Sequence, residues 1–180
     1  MGDVWTFCAI GPDTKLVPAF KVGKRDSATA NAFVSDVASR LINRVQVSTG
    51  SLIAYVQAVE QAFGANVDYA QIFKVFADSS ADAEVIRMDK TEYVGRPNLA
   101  LASTSHVDRL NGTTRLHMRR LTRLTYAFSK KLENFEAAVA LHFAYYNFVK
   151  RHNTLRCTAA MAAGIERDFW TVSDLVEAAA

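Results

Sequence analysis

Arg115, Arg119 and Arg123 recur every four residues, so on a helix they stack along one face while Met118, Leu121 and Phe128 can turn toward a core. Arg109, Arg120, Lys130 and Lys131 enlarge the set. Asp108 is the one acid between residues 106 and 131, which leaves that stretch at +6 in a chain whose total is +3. A row of guanidinium groups at this spacing suits phosphate backbones, where charge is read without regard to base identity and binding weakens as salt rises. A solvated helix face balanced by the acids of residues 77–92 carries the same pattern, and the sequence leaves both readings open.

Other reactive side chains have plainer roles by spacing. Ser105-x-x-Asp108 has the interval of a capping box, and an acid in a first helical turn is favoured by the helix dipole. Asp3 reads as a strand opener and Asp13, after Pro12, as a turn residue. His106, His117, His142 and His152 are scattered, with no metal-ligand interval between them. Cys8 and Cys157 stand near opposite ends and match no metal or redox spacing, so reduced structural thiols in a cytoplasmic chain are expected.

The elements that must position these groups follow from periodicity. Residues 4–10 and 16–22, separated by Gly11-Pro12-Asp13, read as a β-hairpin. After Ser27, the positions Ala30, Phe33, Val34, Val37, Leu41 and Ile42 recur at helical spacing. Residues 45–50 make a short strand stopped by glycine, and residues 55–63 return to a helix, so the alternation is that of an α/β fold. Residues 66–76 predict a further strand, although Ile72 and Val75 disturb its period, and residues 77–102 predict an exposed loop with one short strand near 84–88. Ser103-Thr104-Ser105 then opens a helix marked by Val107, Leu110, Thr114, Met118, Leu121 and Phe128, with a break expected at Asn111-Gly112. Residues 134–149 are apolar on almost every side and predict a helix buried on most faces. A polar connection, an alanine-rich run at 159–163 and a closing helix over 171–179 complete the chain.

Half of the 180 residues are hydrophobic, 22% are charged, and prolines and glycines are few, which is the composition of one globular domain over residues 1–180. Collagen-like, disordered and disulfide-scaffold classes are excluded. Met1-Gly2-Asp3 opens with an acid and no apolar region, so no secretory leader is expected. No stretch reaches the roughly 18 apolar residues of a membrane span, so no membrane partner is expected either.

Longer strings carry a resemblance. Gly2-Asp3-Val4-Trp5, Asp13-Thr14-Lys15-Leu16-Val17-Pro18, Ser103-Thr104-Ser105-His106-Val107-Asp108-Arg109, Arg119-Arg120-Leu121-Thr122-Arg123-Leu124-Thr125, Ala127-Phe128-Ser129-Lys130-Lys131 and Tyr146-Asn147-Phe148-Val149 occur in this order. His152-Asn153-Thr154-Leu155-Arg156 and Met161-Ala162-Ala163-Gly164 follow. Together they resemble bacterial insertion-sequence transposases of the InsB-like, DDE type, from Asp3 to about Val176.

The resemblance implies a ribonuclease-H-like mixed sheet flanked by helices, in which three carboxylates hold two Mg²⁺ ions for DNA cleavage and strand transfer. It also implies transposon-end DNA as partner and leaves homo-oligomerisation open. Mg²⁺ prefers oxygen ligands, and a metal pair stabilises both the attacking and the leaving oxygen. The chain departs from the family at each acid. The first belongs to a central strand that would precede Gly2, and nothing here supplies it, so two inner strand edges are expected to lack partners. The second position falls on Gly50, in Thr49-Gly50-Ser51, and no Asp or Glu lies between Asp36 and Glu60 to replace it. The third matches Asp108, where the family has Glu. An inactive catalytic domain is therefore expected, with the alternative of a non-catalytic DNA-binding remnant. The DNA-binding set expected is Arg109, Arg115, Arg119, Arg120, Arg123, Lys130 and Lys131, with His152 and Arg156 in the C-terminal string.

Overall fold

The computed structural model describes residues 4–78, 84–122 and 126–179. They form a mixed α/β structure that divides into two compact units, Met1–Cys8 with Ala19–Ser105 and Ala9–Pro18 with His106–Ala180.

The first unit begins with β1 (Trp5–Cys8) against β2 (Phe20–Gly23), antiparallel as expected with Trp5 opposite Gly23, but shorter than 4–10 and 16–22, since residues 9–18 belong to the second unit. Helix α1 (Ser27–Ser39) is capped one residue earlier than its sequence signal, because the Asp26 carboxylate accepts the Thr29 N–H at 2.9 Å. It buries Ala30, Phe33, Val34 and Val37, as its spacing predicts, but ends before Leu41 and Ile42. Ile42 is left almost fully exposed, so the last apolar repeat does not extend the helix.

Strand β3 (Val45–Gly50), helix α2 (Ala54–Phe63) and strand β4 (Val67–Phe76) form a β-α-β run in which β3 and β4 are parallel, with Val45 opposite Val67 and Gly50 opposite Ile72. Val67, Tyr69, Ala70, Gln71 and Ile72 are all buried, so β4 is covered on both faces. A strand buried on both faces does not alternate, which explains the disturbed period of residues 66–76. Phe7, Phe33 and Tyr55, one each from β1, α1 and α2, pack with ring centroids 5.9 to 6.4 Å apart and join these elements.

The short strand expected near 84–88 is present but runs on to Val94, which corrects the loop expected over residues 89–94. A ten-residue strand, β5 (Val85–Val94), pairs antiparallel with β4, with irregularities at Tyr69/Ala70 and Val75/Phe76. Eight of its residues are exposed. It is held by ladder hydrogen bonds rather than by burial, and hydrophobic periodicity reports only burial. Among the described strands the order is β1-β2 in one sheet and β3-β4-β5 in another, so β1 and β3 each have a single hydrogen-bonded neighbour.

The second unit is helical. Helix α3 (Ser105–His117) runs through Asn111-Gly112 without the expected break and stops where Met118 turns extended and buried. A 3-10 turn follows at Arg119–Leu121. Helix α4 (Leu132–Ala144) continues into a wider π turn at Tyr145–Val149, and α5 (Ala159–Ala162) and α6 (Val172–Glu177) close the unit. The expectation of a helix buried on most sides is corrected here. Only Val139 and Phe143 of α4 are buried, while Leu132, Leu141 and the following Tyr145 are exposed. An apolar sequence does not by itself supply neighbours on every side of a helix.

Candidate nucleic-acid interface and the acid positions

Gly50 ends β3. Beside it, the Thr49 hydroxyl donates to the Gly50 carbonyl at 3.0 Å and lies 2.8 Å from the Tyr69 phenol. Tyr69 is fully buried, and burial pushes its phenol above the ordinary tyrosine value. Successive strand residues point to opposite faces, so a side chain at Gly50 would share the face of Ser48, away from Thr49. A Cβ there meets nothing within 4 Å. The position is open, but it brings no oxygen ligand.

Asp108 lies in the first turn of α3, exposed, where the helix dipole favours it. Ser105 is itself the first helical residue rather than the cap, and it sits against Ser103 through a 2.9 Å hydroxyl contact. Asp108 and Gly50 belong to different units. Among the described residues no group of three or more His, Cys, Asp or Glu side chains could hold a metal ion. The two-Mg²⁺ site of the resemblance therefore does not fit these residues.

The arginine spacing is realised only in part. Arg109 and Arg115 are exposed on α3, whereas Arg119 and Arg120 stand on the separate 3-10 turn, and Arg123 lies outside the described residues. A single helix carrying both Arg115 and Arg119 is thus corrected to two elements, α3 and the 3-10 turn. Thr114 and Met118 are both buried, and Thr114 lies 3.2 Å from His142 of α4. Arg120 donates to the Ser129 hydroxyl at 2.6 Å, and Lys130 and Lys131 remain exposed.

His152 and Arg156 occupy one turn. His152 is buried, its ring edge-on to Tyr146 at 4.6 Å and its Nε2 3.3 Å from the Tyr146 carbonyl. Burial holds its pKa below the ordinary histidine value, which keeps the ring neutral and makes it a packing group. Arg156 is exposed. Neither Cys8 nor Cys157 is in a disulfide, and burial pushes the Cys8 thiol up to about 12, which makes it a poor nucleophile. Sequence reasoning passed over Asn147, whose buried amide accepts the Val17 N–H at 3.0 Å and donates to the Val17 carbonyl at 2.9 Å. Its one visible signal was a polar residue inside an apolar run.

No protein-family model, curated protein or solved structure matches this chain. The described helices include none long and apolar enough to cross a membrane.

Proposed function

We propose that this chain derives from the ribonuclease-H-like catalytic domain of an insertion-sequence transposase and now holds DNA through its phosphates without cutting it. The observation that carries the reading is Gly50. It ends the parallel strand β3 at the place where the resemblance puts an acid, and no carboxylate on β3 can take over. A lone Asp108 is a poor Mg²⁺ site, so no cleavage step is assigned to it.

Two features favour this origin over an unrelated α/β protein. The order hairpin, helix, strand, helix, parallel strand is the one the resemblance calls for. The described strands also include a parallel pair, β3 and β4, with an antiparallel neighbour, β5, and a ribonuclease-H-like sheet is mixed in this way. DNA binding is favoured by the exposed cations Arg109, Arg115, Arg119, Arg120, Lys130 and Lys131, which follow one another with Asp108 as the single acid up to residue 131.

The test is binding of a labelled duplex by the parent chain and by R115Q/R119Q/R123Q over a range of salt. The parent should bind at low salt and weaken steeply as salt rises, and the variant should bind less tightly with a shallower dependence. Equal binding by both proteins would show a merely solvated surface and overturn the DNA-binding part of the reading.

A further inference from the structure

The described residues outside glycine include two with positive φ, Lys15 at 59° and Arg156 at 60°, and both are cations of the second unit. The left-handed region is unfavourable for residues with a Cβ, and such strain tends to persist where function needs a side chain held in place. A direct contact joins the two segments, since the Lys15 ammonium donates to the Thr154 hydroxyl.

The turn that carries Arg156 is closed by backbone hydrogen bonds: His152 N–H to Cys157 C=O at 3.0 Å and Arg156 N–H to His152 C=O at 2.7 Å. Arg151 adds a 3.0 Å bond from its Nε to the Arg156 carbonyl and rests its guanidinium over Phe169. Lys150 stands over the Tyr146 ring, which packs against His152. On the other side, the loop that carries Lys15 is fixed by paired Gly11–Leu16 and Lys15–Gly11 bonds and by the Asn147 grip on Val17. Lys15 thus reaches the turn at Thr154, two residues from Arg156, while Lys150 covers the Tyr146 ring that packs on His152 of the same turn.

These four cations are half-buried or exposed, and none is in an ion pair among the described residues. The chain has no acid from Ala137 to Ile165, and Asp13 is the nearest acid to Lys15 in sequence. Lys150, Arg151 and Arg156 in one segment, with Lys15 reaching it at Thr154, are like charges that repel one another. That arrangement is offset when an extended polyanion is bound, and successive phosphates of a nucleic-acid backbone are such a ligand.

We propose that Lys15, Lys150, Arg151 and Arg156 form a second phosphate-binding surface for the backbone of duplex DNA, built by different residues from the basic segment 109–131. It rests on the DNA-binding reading above and adds a second set of contacts to it.

The experiment measures the slope of log affinity against log salt for a labelled duplex, using the parent, K15N/K150Q/R156N and R115Q/R119Q/R123Q. Asparagine is chosen at positions 15 and 156 because it tolerates the left-handed conformation, so charge is lost with little change in backbone strain. Arg151 is kept because it braces the turn. Each lost phosphate contact lowers the slope by about 0.9, so the first variant should lose about 2.7 in slope and bind at least about tenfold more weakly at low salt. Circular dichroism and Trp170 fluorescence report whether it is folded. If it is not, K150Q/R156N, which leaves the Lys15 contact in place, should still lose about 1.8. A folded variant with the parent's slope, while R115Q/R119Q/R123Q loses slope, overturns this inference alone. A parent chain that does not bind duplex at low salt overturns both.

Discussion

The Thr49 hydroxyl and the Tyr69 phenol lie 2.8 Å apart across the parallel pair β3–β4, one residue before Gly50. That buried contact fixes the end of β3 without any contribution from a side chain at position 50. Glycine at position 50 is therefore not a backbone requirement, since its φ is ordinary and a Cβ there would meet nothing within 4 Å.

Gly50→Ala and Gly50→Asp should both fold like the parent. The new Cβ enters open space, and glycine in a strand is unfavourable by roughly 0.5–1 kcal/mol relative to alanine. Denaturant unfolding should show Gly50→Ala unchanged or more stable by about that amount. A loss above about 2 kcal/mol would mean that position 50 is packed or strained.

Gly95 should not tolerate a side chain. It has φ 68°, and a Cβ there would sit 2.6 Å from both Arg44 Nη2 and the Val67 carbonyl, inside the clamp that Arg44 makes on Asp68. Gly95→Ala should cost about 2 kcal/mol or more, read by thermal or denaturant unfolding. A neutral result would show that the clamp opens freely.

The same clamp predicts a response to acid. The Arg44 guanidinium, and after it the Arg96 N–H at 2.7 Å, hold the Asp68 carboxyl at about 2, below the ordinary 3.8. Its contribution is complete above the unfolded value and is lost as pH falls from about 4 toward 2. Stability followed over that interval should fall less steeply in Asp68→Asn than in the parent. Identical profiles would remove Asp68 as a cause.

His142 and His152 act in a higher window with the same sign. Burial lowers both pKa values below 6.5; His117 and Lys150 add to this at His142, and Lys150 and Lys15 add to it at His152. The unfolded chain then binds more protons, so stability is full above about 6.5 and declines as pH falls through the folded values, by at most about 1.4 kcal/mol per pH unit per histidine. Unfolding measured from neutral pH to pH 5 should show that decline, and His142→Gln should reduce it. A flat profile would contradict it.

Asn147 is the cross-link whose loss should cost most for its size. Asn147→Ala strips partners from the buried Val17 N–H and C=O together, and each unsatisfied group costs about 1–3 kcal/mol. A loss of at least about 2 kcal/mol in denaturant unfolding is expected. A change under about 0.5 kcal/mol would show that water replaces the amide.

Much of the first unit was legible because its elements declare themselves by burial, Phe33 and Val37 on α1, Val59 on α2, or by β-branched residues stopped by glycine, Val45 to Gly50 on β3. β5 was not, because its exposed Arg87, Asp89 and Lys90 are placed by backbone pairing, which leaves no apolar period. Gly50 at the end of β3 and Asp108 in the first turn of α3 were legible from periodicity. The division of the basic segment between α3 and the 3-10 turn was not, since the buried Leu110, Thr114 and Met118 keep helical spacing and give no sign of a stop at His117. Lys15 was hidden for a similar reason. Its neighbour Thr154 is 139 positions away.

The most direct measurement incubates the chain with supercoiled plasmid DNA and Mg²⁺ or Mn²⁺, while a labelled duplex records binding in the same buffers. Binding that weakens with salt, beside plasmid that stays supercoiled, is the predicted result. Nicking or linearisation that requires the metal and stops when it is chelated would contradict the account, because it would mean that Asp108 and residues other than Gly50 assemble a working metal site.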